Sequence, residues 1–276
     1  MANVAMERAA AQQPAEIAGQ LVHARLRAQS LPGFPGVQPT DLQTAYACQE
    51  QAIGLWPDEI VGWKIGRLAS DQEKRFGQMR LSGPIFNKAL RHASKDVSVA
   101  FPVFAGGFAA VESEFVLRLD RDAPADKTTW TTAEATDIVG AMHIAIETAG
   151  SPMAAINDLG STAVISDFGN NAGLILGPEI SDWKSRELDT LTVTTSINGV
   201  VAGHGTAAGI PGGPVEALRF LLEHTAQRGR PLKKGMLIST GAITGIHDVV
   251  AGQTGLADFG NDGRIACHAV RATPQP

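Results

Sequence analysis

The segment 111–119, VESEFVLRL, has the alternating pattern of a half-buried β-strand. Side chains on a strand repeat every second residue, so one face would carry Val111, Ser113, Phe115, Leu117 and Leu119. Glu112 and Glu114 would share the other face, with their Cα atoms roughly 6.5–7 Å apart. Two carboxylates at this spacing repel each other unless a positive group lies between them, and Mg²⁺ or Mn²⁺ prefers such oxygen ligands. Both a metal site and a solvated polar strand face fit this pattern.

The composition indicates a globular protein with many tight turns. The chain has 276 residues, of which 44% are hydrophobic and 30 are glycine. Its formal net charge is −5 and it has no basic patch with interleaved aromatic residues, which argues against nucleic acid as a partner. No apolar run approaches the ~18 residues of a membrane span, so we expect no membrane association.

Cysteine usage and the N-terminus bear on the cellular compartment. Cys48 and Cys267 lie far apart in the sequence, which leaves one disulfide open but favours a reducing environment. The first residues do not show a charged stretch followed by an apolar one, as a secretion signal would. We therefore expect a cytoplasmic protein.

Two helices are predicted in the first sixty residues. Residues 1–14 are rich in Ala and Gln and are expected to fray, whereas residues 15–29 have apolar residues at helical spacing. Asp41, after Thr40, can cap a second helix that runs to about residue 55. From residue 60 the chain changes to short strands and turns, which predicts a helical N-terminal region, 1–59, and a β-rich domain, 60–276.

A third helix is predicted after a capping box. Thr131 and Glu134 have the spacing of this motif, and the helix that it opens would include Ile138 and Met142. Residues 143–147 fit either a continuation of this helix or a separate strand, and periodicity does not distinguish the two.

Further strand and turn signals complete the fold prediction. Asn198 and Gly199 predict a type I′ hairpin turn between two strands. Pro214 lies near the start of a helix for which Gly229 is the expected C′ residue. Segment 235–241 indicates another strand and turn. Together these elements predict an α+β fold in which helices pack outside a mixed sheet.

Six segments occur in an order and spacing that are informative together. They are 62–66 (GWKIG), 83–86 (GPIF), 111–115 (VESEF), 145–147 (AIE), 166–178 (SDFGNNAGLILGP) and 238–245 (ISTGAITG). This set resembles the fumarylacetoacetate hydrolase superfamily, and more narrowly its branch of 2-keto-4-pentenoate hydratases and 4-oxalocrotonate decarboxylases. The resemblance covers roughly residues 40–250. It implies a fumarylacetoacetate-hydrolase-like mixed β-sheet roll with peripheral helices and a short helical N-terminal region.

The resemblance also implies a metal site. In this family a Glu-x-Glu pair and a third acidic residue hold one divalent cation. The matching residues are Glu112, Glu114 and Glu147. Three carboxylates and three exchangeable oxygen positions would complete an octahedron around Mg²⁺ (or Mn²⁺) and leave room for a bidentate 2-oxo acid.

Four further residues match family positions around the metal. Lys64 matches a lysine that would pair with the substrate carboxylate or move a proton, and its apolar strand context is expected to lower its pKa. Asp167 matches an aspartate that could orient a water molecule or the lysine, although a turn-forming aspartate fits equally well. Thr240 and Gly241 match a Thr-Gly turn that would contact the substrate.

Four positions depart from the family pattern and are expected to bind substrate. Lys88 stands where a hydratase would carry an acidic residue, and it either favours a second anionic group on the substrate or points to solvent. Asn170 and Asn171 replace serines. His204, in a long glycine-rich stretch, is either an ordinary loop histidine or a replacement acid/base group.

The resemblance implies a metal-dependent lyase acting on a 2-oxo or 2-hydroxy-dienoate acid in the breakdown of aromatic compounds. A 2-keto-4-pentenoate-type hydratase is the leading interpretation, and a 4-oxalocrotonate-type decarboxylase would use the same metal-stabilised enolate. C–C hydrolysis would need a His–Glu dyad, for which His23 and His204 are the candidates.

Assembly is a further open point. The branch implies a homo-oligomer that can associate with a pathway partner enzyme. Because Lys88 and the lost serines depart from the pattern, a catalytically silent paralogue acting as a partner subunit is an alternative. The intact glutamates and Lys64 argue against this alternative.

Overall fold

A computed structural model describes the backbone of residues 2–275 and the side chains of residues 13–275. In this part of the chain the helices are α1 Ala2–Leu26, α2 Leu42–Leu55, α3 Ser70–Phe76, α4 Thr132–Asp137, α5 Ile156–Leu159, α6 Ser161–Ser166 and α7 Gly213–Gln227. The strands are β1 Ile60–Arg67, β2 Arg80–Phe86, β3 Leu90–His92, β4 Val99–Val103, β5 Phe108–Leu119, β6 Val139–Ser151, β7 Asn171–Glu179, β8 Thr192–Ile197, β9 Val200–Thr206, β10 Leu237–Ser239, β11 His247–Asp248, β12 Thr254–Asp258 and β13 Arg264–Arg271.

The strands form two sheets. The larger has the order β2-β1-β10-β5-β6-β7-β3, with β11 also paired to β5. It is mixed, because β1 runs parallel to β10 and β3 runs parallel to β7 while the other pairs are antiparallel. The second sheet has the order β4-β13-β12-β8-β9. Mixed sheets with helices around them confirm the predicted α+β class.

Strand β5 lies in the middle of the larger sheet and is covered on both faces. Its residues are buried along almost the whole strand, including Glu112 and Glu114. On one face Phe115 packs edge-on against Phe259, which lies between β12 and β13 of the second sheet, with ring centroids 5.5 Å apart. The strand is therefore buried rather than half-buried, and of the two alternatives the solvated polar face is wrong. The second sheet covers the apolar face, and a cavity adjoins the face that carries the glutamates.

Strand β6 replaces most of the predicted third helix. The capping box of Thr131 and Glu134 is confirmed, but α4 ends at Asp137. Met142 and residues 143–147 belong to β6, which pairs with β5 on one side and β7 on the other. Two ladders of backbone hydrogen bonds and burial within the sheet outweigh the local helical pattern. The inclusion of Met142 in a helix was wrong.

Other local signals are confirmed, although the first helix has different bounds from those predicted. Helix α1 begins at Ala2 and ends at Leu26, earlier at both ends than predicted, and the expected fraying of residues 1–14 falls mostly on side chains outside the described residues. Asp41 caps α2 by accepting a hydrogen bond from the Thr44 N–H. The Asn198-Gly199 turn has the predicted positive φ angles, 49° and 77°.

The N-terminal helices share a core with the sheet. Ile17 of α1 and Tyr46 of α2 belong to the same buried apolar cluster as Ala110 of β5 and Ala149 of β6. The division at residue 59 stays a prediction. Cys48 and Cys267 are buried and unpaired, so no disulfide joins them. Over residues 2–275, none of the helices has the length and apolar character needed to cross a membrane.

His224 of α7 provides a pH-dependent contribution to stability. Its ring stacks on Phe220 and lies 4.6 Å from the ring of Tyr46, while Nε2 is 3.4 Å from the Arg228 guanidinium. Burial first, and the charge of Arg228 second, lower the pKa of His224 from 6.5 to about 3. Between these values the unfolded chain binds the proton and the folded chain does not.

We therefore expect the free energy of unfolding to fall as the pH falls from 6.5 towards 3. The contribution of His224 is at most about 1.4 kcal/mol per pH unit. Denaturant unfolding of the wild type and of His224→Phe across this range should show a shallower pH dependence in the variant. Parallel curves for the two proteins would contradict the assignment.

Candidate metal centre

Three glutamates from neighbouring strands converge inside the larger sheet. Glu112 of β5 is directly opposite Glu147 of β6, and Glu114 shares the face of Glu112 because strand side chains repeat every second residue. Their exposed fractions are 4% for Glu112 and 0% for Glu114 and Glu147. One carboxylate oxygen from each lies within 4.8 Å of the others.

The buried charges in this cluster are incompletely compensated. Burial, with Lys64 opposing it, raises the pKa of Glu112 to about 7. Burial, reinforced by the other two carboxylates, raises the pKa of Glu114 well above its ordinary value. Among the described residues, Glu112 Oε1, Glu114 Oε1 and Glu147 Oε2 are buried and have no hydrogen-bond partner. Unsatisfied buried carboxylate oxygens are costly, and a hard divalent cation is the ligand that such a donor set fits.

The remaining oxygens of two glutamates are held by fixed donors. Glu114 Oε2 accepts hydrogen bonds from Ser239 Oγ at 2.6 Å and from the Gly241 N–H at 2.9 Å. Glu147 Oε1 accepts one from Asn171 Nδ2 at 3.0 Å. These bonds orient each carboxylate and leave its other oxygen free. Ser239 was missed in the sequence analysis, although it lies within the segment 238–245.

Lys64 is the cation nearest to the cluster. It lies on β1, is 4% exposed, and its Nζ is 3.4 Å from Glu147 Oε1 and 3.3 Å from Asn170 Oδ1. Burial disfavours its charged form, but the attraction of Glu147, Glu112 and Glu114 outweighs burial and raises its pKa. The expectation of a lowered pKa is wrong because three carboxylates, absent from the local sequence context of Lys64, surround the ammonium.

The loop that presents Asn170 is strained. Phe168, Gly169 and Asn170 all have left-handed φ angles, of 57°, 64° and 54°. Such runs are unfavourable for residues with a Cβ and persist where the surroundings enforce them. Gly83 of β2 packs directly against this loop, since a Cβ on it would lie 2.0 Å from the Phe168 carbonyl oxygen. The close approach explains the glycine of segment 83–86 and helps to place Asn170 beside Lys64.

A cavity of about 470 Å³ opens onto this centre. Its wall includes Glu112 and four predicted site residues, Lys64, Asn170, Thr240 and Gly241. The Thr240 hydroxyl is already used, since Oγ1 donates to the Phe115 carbonyl at 2.7 Å. Much of the remaining wall is apolar and includes Leu68, Leu81, Val164, Ile210 and Ile246.

Asp167 lies outside the cavity wall. It is buried in an ion pair with Arg25 of α1, at 2.5 Å from Nε to Oδ1, and also accepts a hydrogen bond from Ser151 Oγ at 2.6 Å. In the structure Asp167 therefore ties the strained loop to α1 and β6. Nothing in the local sequence of Arg25 pointed to this long-range pair.

The other predicted residues are also apart from the cavity. Lys88 is exposed and its Nζ donates to the Pro57 carbonyl at 3.0 Å. His204 is exposed on β9, with Nδ1 2.9 Å from Thr194 Oγ1, and His23 is exposed on α1. Neither histidine lines the cavity in the part of the chain that the structure describes.

The relatives of this chain in sequence include hydratases and decarboxylases. No family model matches the sequence. The 2-keto-4-pentenoate hydratase of Paraburkholderia phymatum is 25% identical over 208 residues, which are 74% of this chain and 76% of the relative. The 2-oxo-hept-4-ene-1,7-dioate hydratase of Escherichia coli is 34% identical over 108 residues, 38% of this chain and 40% of the relative.

A solved structure establishes the fold class. The 4-oxalocrotonate decarboxylase of Pseudomonas putida G7, complexed with magnesium and adipate, has a TM-score of 0.77 at 18% identity, covering 94% of this chain and 98% of that one. The fold, with its buried acidic centre, is therefore that of fumarylacetoacetate-hydrolase-like proteins. These matches support the resemblance to the fumarylacetoacetate hydrolase superfamily, and to its branch of 2-keto-4-pentenoate hydratases and 4-oxalocrotonate decarboxylases, that the six sequence segments indicated.

Proposed function

We propose that this protein is a divalent-metal-dependent hydratase for 2-hydroxydienoate acids of the 2-keto-4-pentenoate type. One observation carries the proposal. Three buried glutamates each place one carboxylate oxygen within 4.8 Å of the others, and each has one oxygen without a hydrogen-bond partner, beside a buried lysine and next to a cavity. The names of the relatives that cover three quarters of the chain support the same substrate class.

In this proposal Glu112, Glu114 and Glu147 hold Mg²⁺ or Mn²⁺. A bound divalent cation supplies an electrophilic site for the two oxygens of a 2-oxo acid and stabilises negative charge on the 2-oxygen. The buried oxygens that lack partners are the donors that such an ion requires.

The protein's own residues supply binding and proton transfer. Lys64 lies on the cavity wall, where its Nζ can pair with the substrate carboxylate or carry a proton to the substrate chain. Asn170 holds Lys64 through its Oδ1, and Asn171 holds Glu147. The apolar part of the wall excludes water from the substrate tail and strengthens the charge interactions at the centre.

Decarboxylation of a 4-oxalocrotonate-type acid is the second candidate. It needs an electron sink and one proton donor, whereas hydration also needs water to be activated. Among the described residues of the cavity wall, Lys64 and Glu112 are the side chains suited to proton transfer, and no histidine is present. Because the wall offers so few groups for proton transfer, it also suits decarboxylation, which needs fewer of them.

The decisive experiment is a turnover assay on 2-hydroxypenta-2,4-dienoate and 4-oxalocrotonate, with Mg²⁺ and with EDTA. We expect metal-dependent loss of the dienoate chromophore without release of CO₂. Release of CO₂ from 4-oxalocrotonate would establish the decarboxylase instead. Metal binding without turnover of either acid would favour the catalytically silent paralogue and overturn the proposed activity.

Removing a donor that orients a metal ligand should weaken metal binding. Ser239→Ala deletes the 2.6 Å hydrogen bond to Glu114 and leaves that carboxylate less constrained. Outer partners of metal ligands typically contribute about 10–100-fold in affinity. Calorimetric titration with Mn²⁺ should show a loss of this size at unchanged stoichiometry. An unchanged affinity would mean that the Gly241 N–H suffices to hold Glu114.

The exposed edge of the second sheet supports a proposal of self-association. Val200 and Val201 of β9 are 70% and 65% exposed on a strand with no neighbour on its outer side among the described residues. Exposed apolar edge strands are sites of pairing between chains. We propose a cytoplasmic homo-oligomer, and light scattering of the wild type and of Val201→Lys tests whether this edge is the contact.

A further inference from the structure

We propose that Arg67 and Arg80 bind a second anionic group at the far end of the substrate, so that among 2-hydroxydienoate acids those with a second carboxylate bind more tightly than the monoacids. The inference rests on the proposed function, because it assumes that the 2-oxo acid end lies at the glutamate cluster. It extends that function by naming the substrate class and the residues that select it.

The two arginines form a like-charged cross-strand pair. In the antiparallel pairing of β1 with β2, Arg67 is directly opposite Arg80. Like charges at such positions destabilise a sheet. Both residues line the same cavity as Lys64 and Glu112. A pair that costs stability while facing a binding cavity is accounted for if an anion binds between the two guanidinium groups.

The carboxylates nearby do not neutralise this pair. Arg67 lies 3.4 Å from Glu73 Oε2 and its side chain is 60% exposed. Arg80 has no carboxylate within 4.0 Å among the described residues, and its guanidinium donates to the Pro211 carbonyl. Glu216 is the next acidic group, but both of its oxygens bind Arg219. The pair therefore has one direct carboxylate partner, the partly exposed Glu73, and it contacts Arg67 alone.

Partial burial makes the positive charge of Arg80 less favourable, and a bound anion would offset this cost. This guanidinium is half-buried, and desolvation, with Arg219 and Arg67 adding to it against Glu216 and Glu73, lowers its pKa. Arginine stays charged in proteins, so the site carries a poorly solvated positive charge. A planar guanidinium can hold a carboxylate through two parallel hydrogen bonds.

The cavity has the layout that a linear diacid would need. Lys64 and Glu112 mark one end. Arg67 ends β1, three residues or roughly 10 Å along the strand from Lys64, and Arg80 begins β2 directly opposite Arg67. Apolar side chains also line the cavity, and Leu81, opposite Gly66, lies between Lys64 and the two arginines along the strand pair. An acid group at each end and a hydrocarbon chain between them match this distribution.

Lys88 was predicted to provide this selectivity, but the structure places it elsewhere. It is exposed and lines a different cavity, together with Arg91 and Arg271. Lys88→Met is therefore the matched control for loss of a positive charge, because it removes a cation without altering the wall of the glutamate-centred cavity.

The test compares two inert ligands of equal chain length, 2-oxoadipate and 2-oxohexanoate, which differ only in the terminal carboxylate. Calorimetry in Mg²⁺ buffer would measure both dissociation constants for the wild type, Arg80→Met, Arg67→Met and Lys88→Met. We expect the wild type to bind 2-oxoadipate about tenfold more tightly or better. Arg80→Met should lose most of this preference and Arg67→Met part of it, while 2-oxohexanoate binding and Lys88→Met stay unchanged.

Each outcome bears on one of the two proposals. Equal binding of both ligands by the wild type, or an unchanged preference in Arg80→Met, overturns the arginine assignment while leaving the metal-dependent 2-oxo acid site intact. If Arg80→Met does not fold, an unchanged preference in Arg67→Met, altered at an exposed residue, overturns it equally. Failure of both ligands to bind in a metal-dependent manner overturns the proposed function and this inference with it.

Discussion

Lys64→Met is expected to lower kcat/KM on a 2-hydroxydienoate by about 10²–10⁴-fold, the usual contribution of a positioned proton-transfer group. The ammonium group lies within 3.4 Å of Glu147 and on the cavity wall. Among the described residues no other lysine lines this cavity, so no neighbour can replace it. Methionine keeps the length and packing of the side chain, which confines the change to the charge and the exchangeable protons.

Lys64→Met is also expected to change the thermal stability of the metal-free protein. Without metal, Lys64 is the cation that faces three buried carboxylates, so the metal-free variant should melt at a lower temperature than the metal-free wild type. With saturating Mg²⁺ the difference should shrink. Thermal melts with and without Mg²⁺, with Lys88→Met as the control, measure this directly. Activity within a few-fold of the wild type would remove Lys64 from the reaction.

Glu114→Gln is expected to weaken divalent-metal binding by more than about 100-fold, since it alters a ligand rather than an outer partner. The amide oxygen can still accept the hydrogen bonds that Ser239 and Gly241 donate to Glu114, so the fold should persist. Without metal, the variant should be more stable than the wild type. Burial and the two neighbouring carboxylates make the charged form of Glu114 unfavourable, and glutamine removes that charge.

Opposite effects on metal affinity and on metal-free stability separate a ligand from a merely structural glutamate. Calorimetric titration with Mn²⁺ gives the first, and thermal melts in EDTA give the second. Glu179→Gln, an exposed glutamate on β7, is the control and should change neither. Full metal stoichiometry at wild-type affinity in Glu114→Gln would exclude Glu114 as a ligand.

Local patterns predicted much of the fold, and they failed where the sheet layers meet. The capping box at Thr131, the Asp41 cap and the Asn198-Gly199 turn were correct, because each depends on residues a few positions apart. Met142 was wrongly placed in a helix because the residues around it have helical spacing. It lies in β6, which pairs with β5 and β7, and the sequence near Met142 does not contain these two strands.

The three glutamates of the acidic site could be predicted from the sequence, but several residues around them could not. Glu112, Glu114 and Glu147 were named from the sequence, and they converge in the structure. Ser239, Arg67 and Arg80 were not singled out, because a serine or an arginine in a strand has no distinctive local pattern. Their importance appears only from their contacts in the structure: Ser239 donates a hydrogen bond to Glu114, and Arg67 lies opposite Arg80.

The sequence by itself determined the strand that carries Glu112 and Glu114, their shared face and the class of cation that such a face suits. These properties follow from the two-residue repeat of a strand and from carboxylate chemistry, which are local. Only the tertiary structure decided that Glu147 is opposite Glu112, that Lys64 is held charged among them, and that Asp167, Lys88 and His204 lie apart from the cavity. Burial and charge depend on contacts between residues far apart in the chain, and strand pairing sets those contacts.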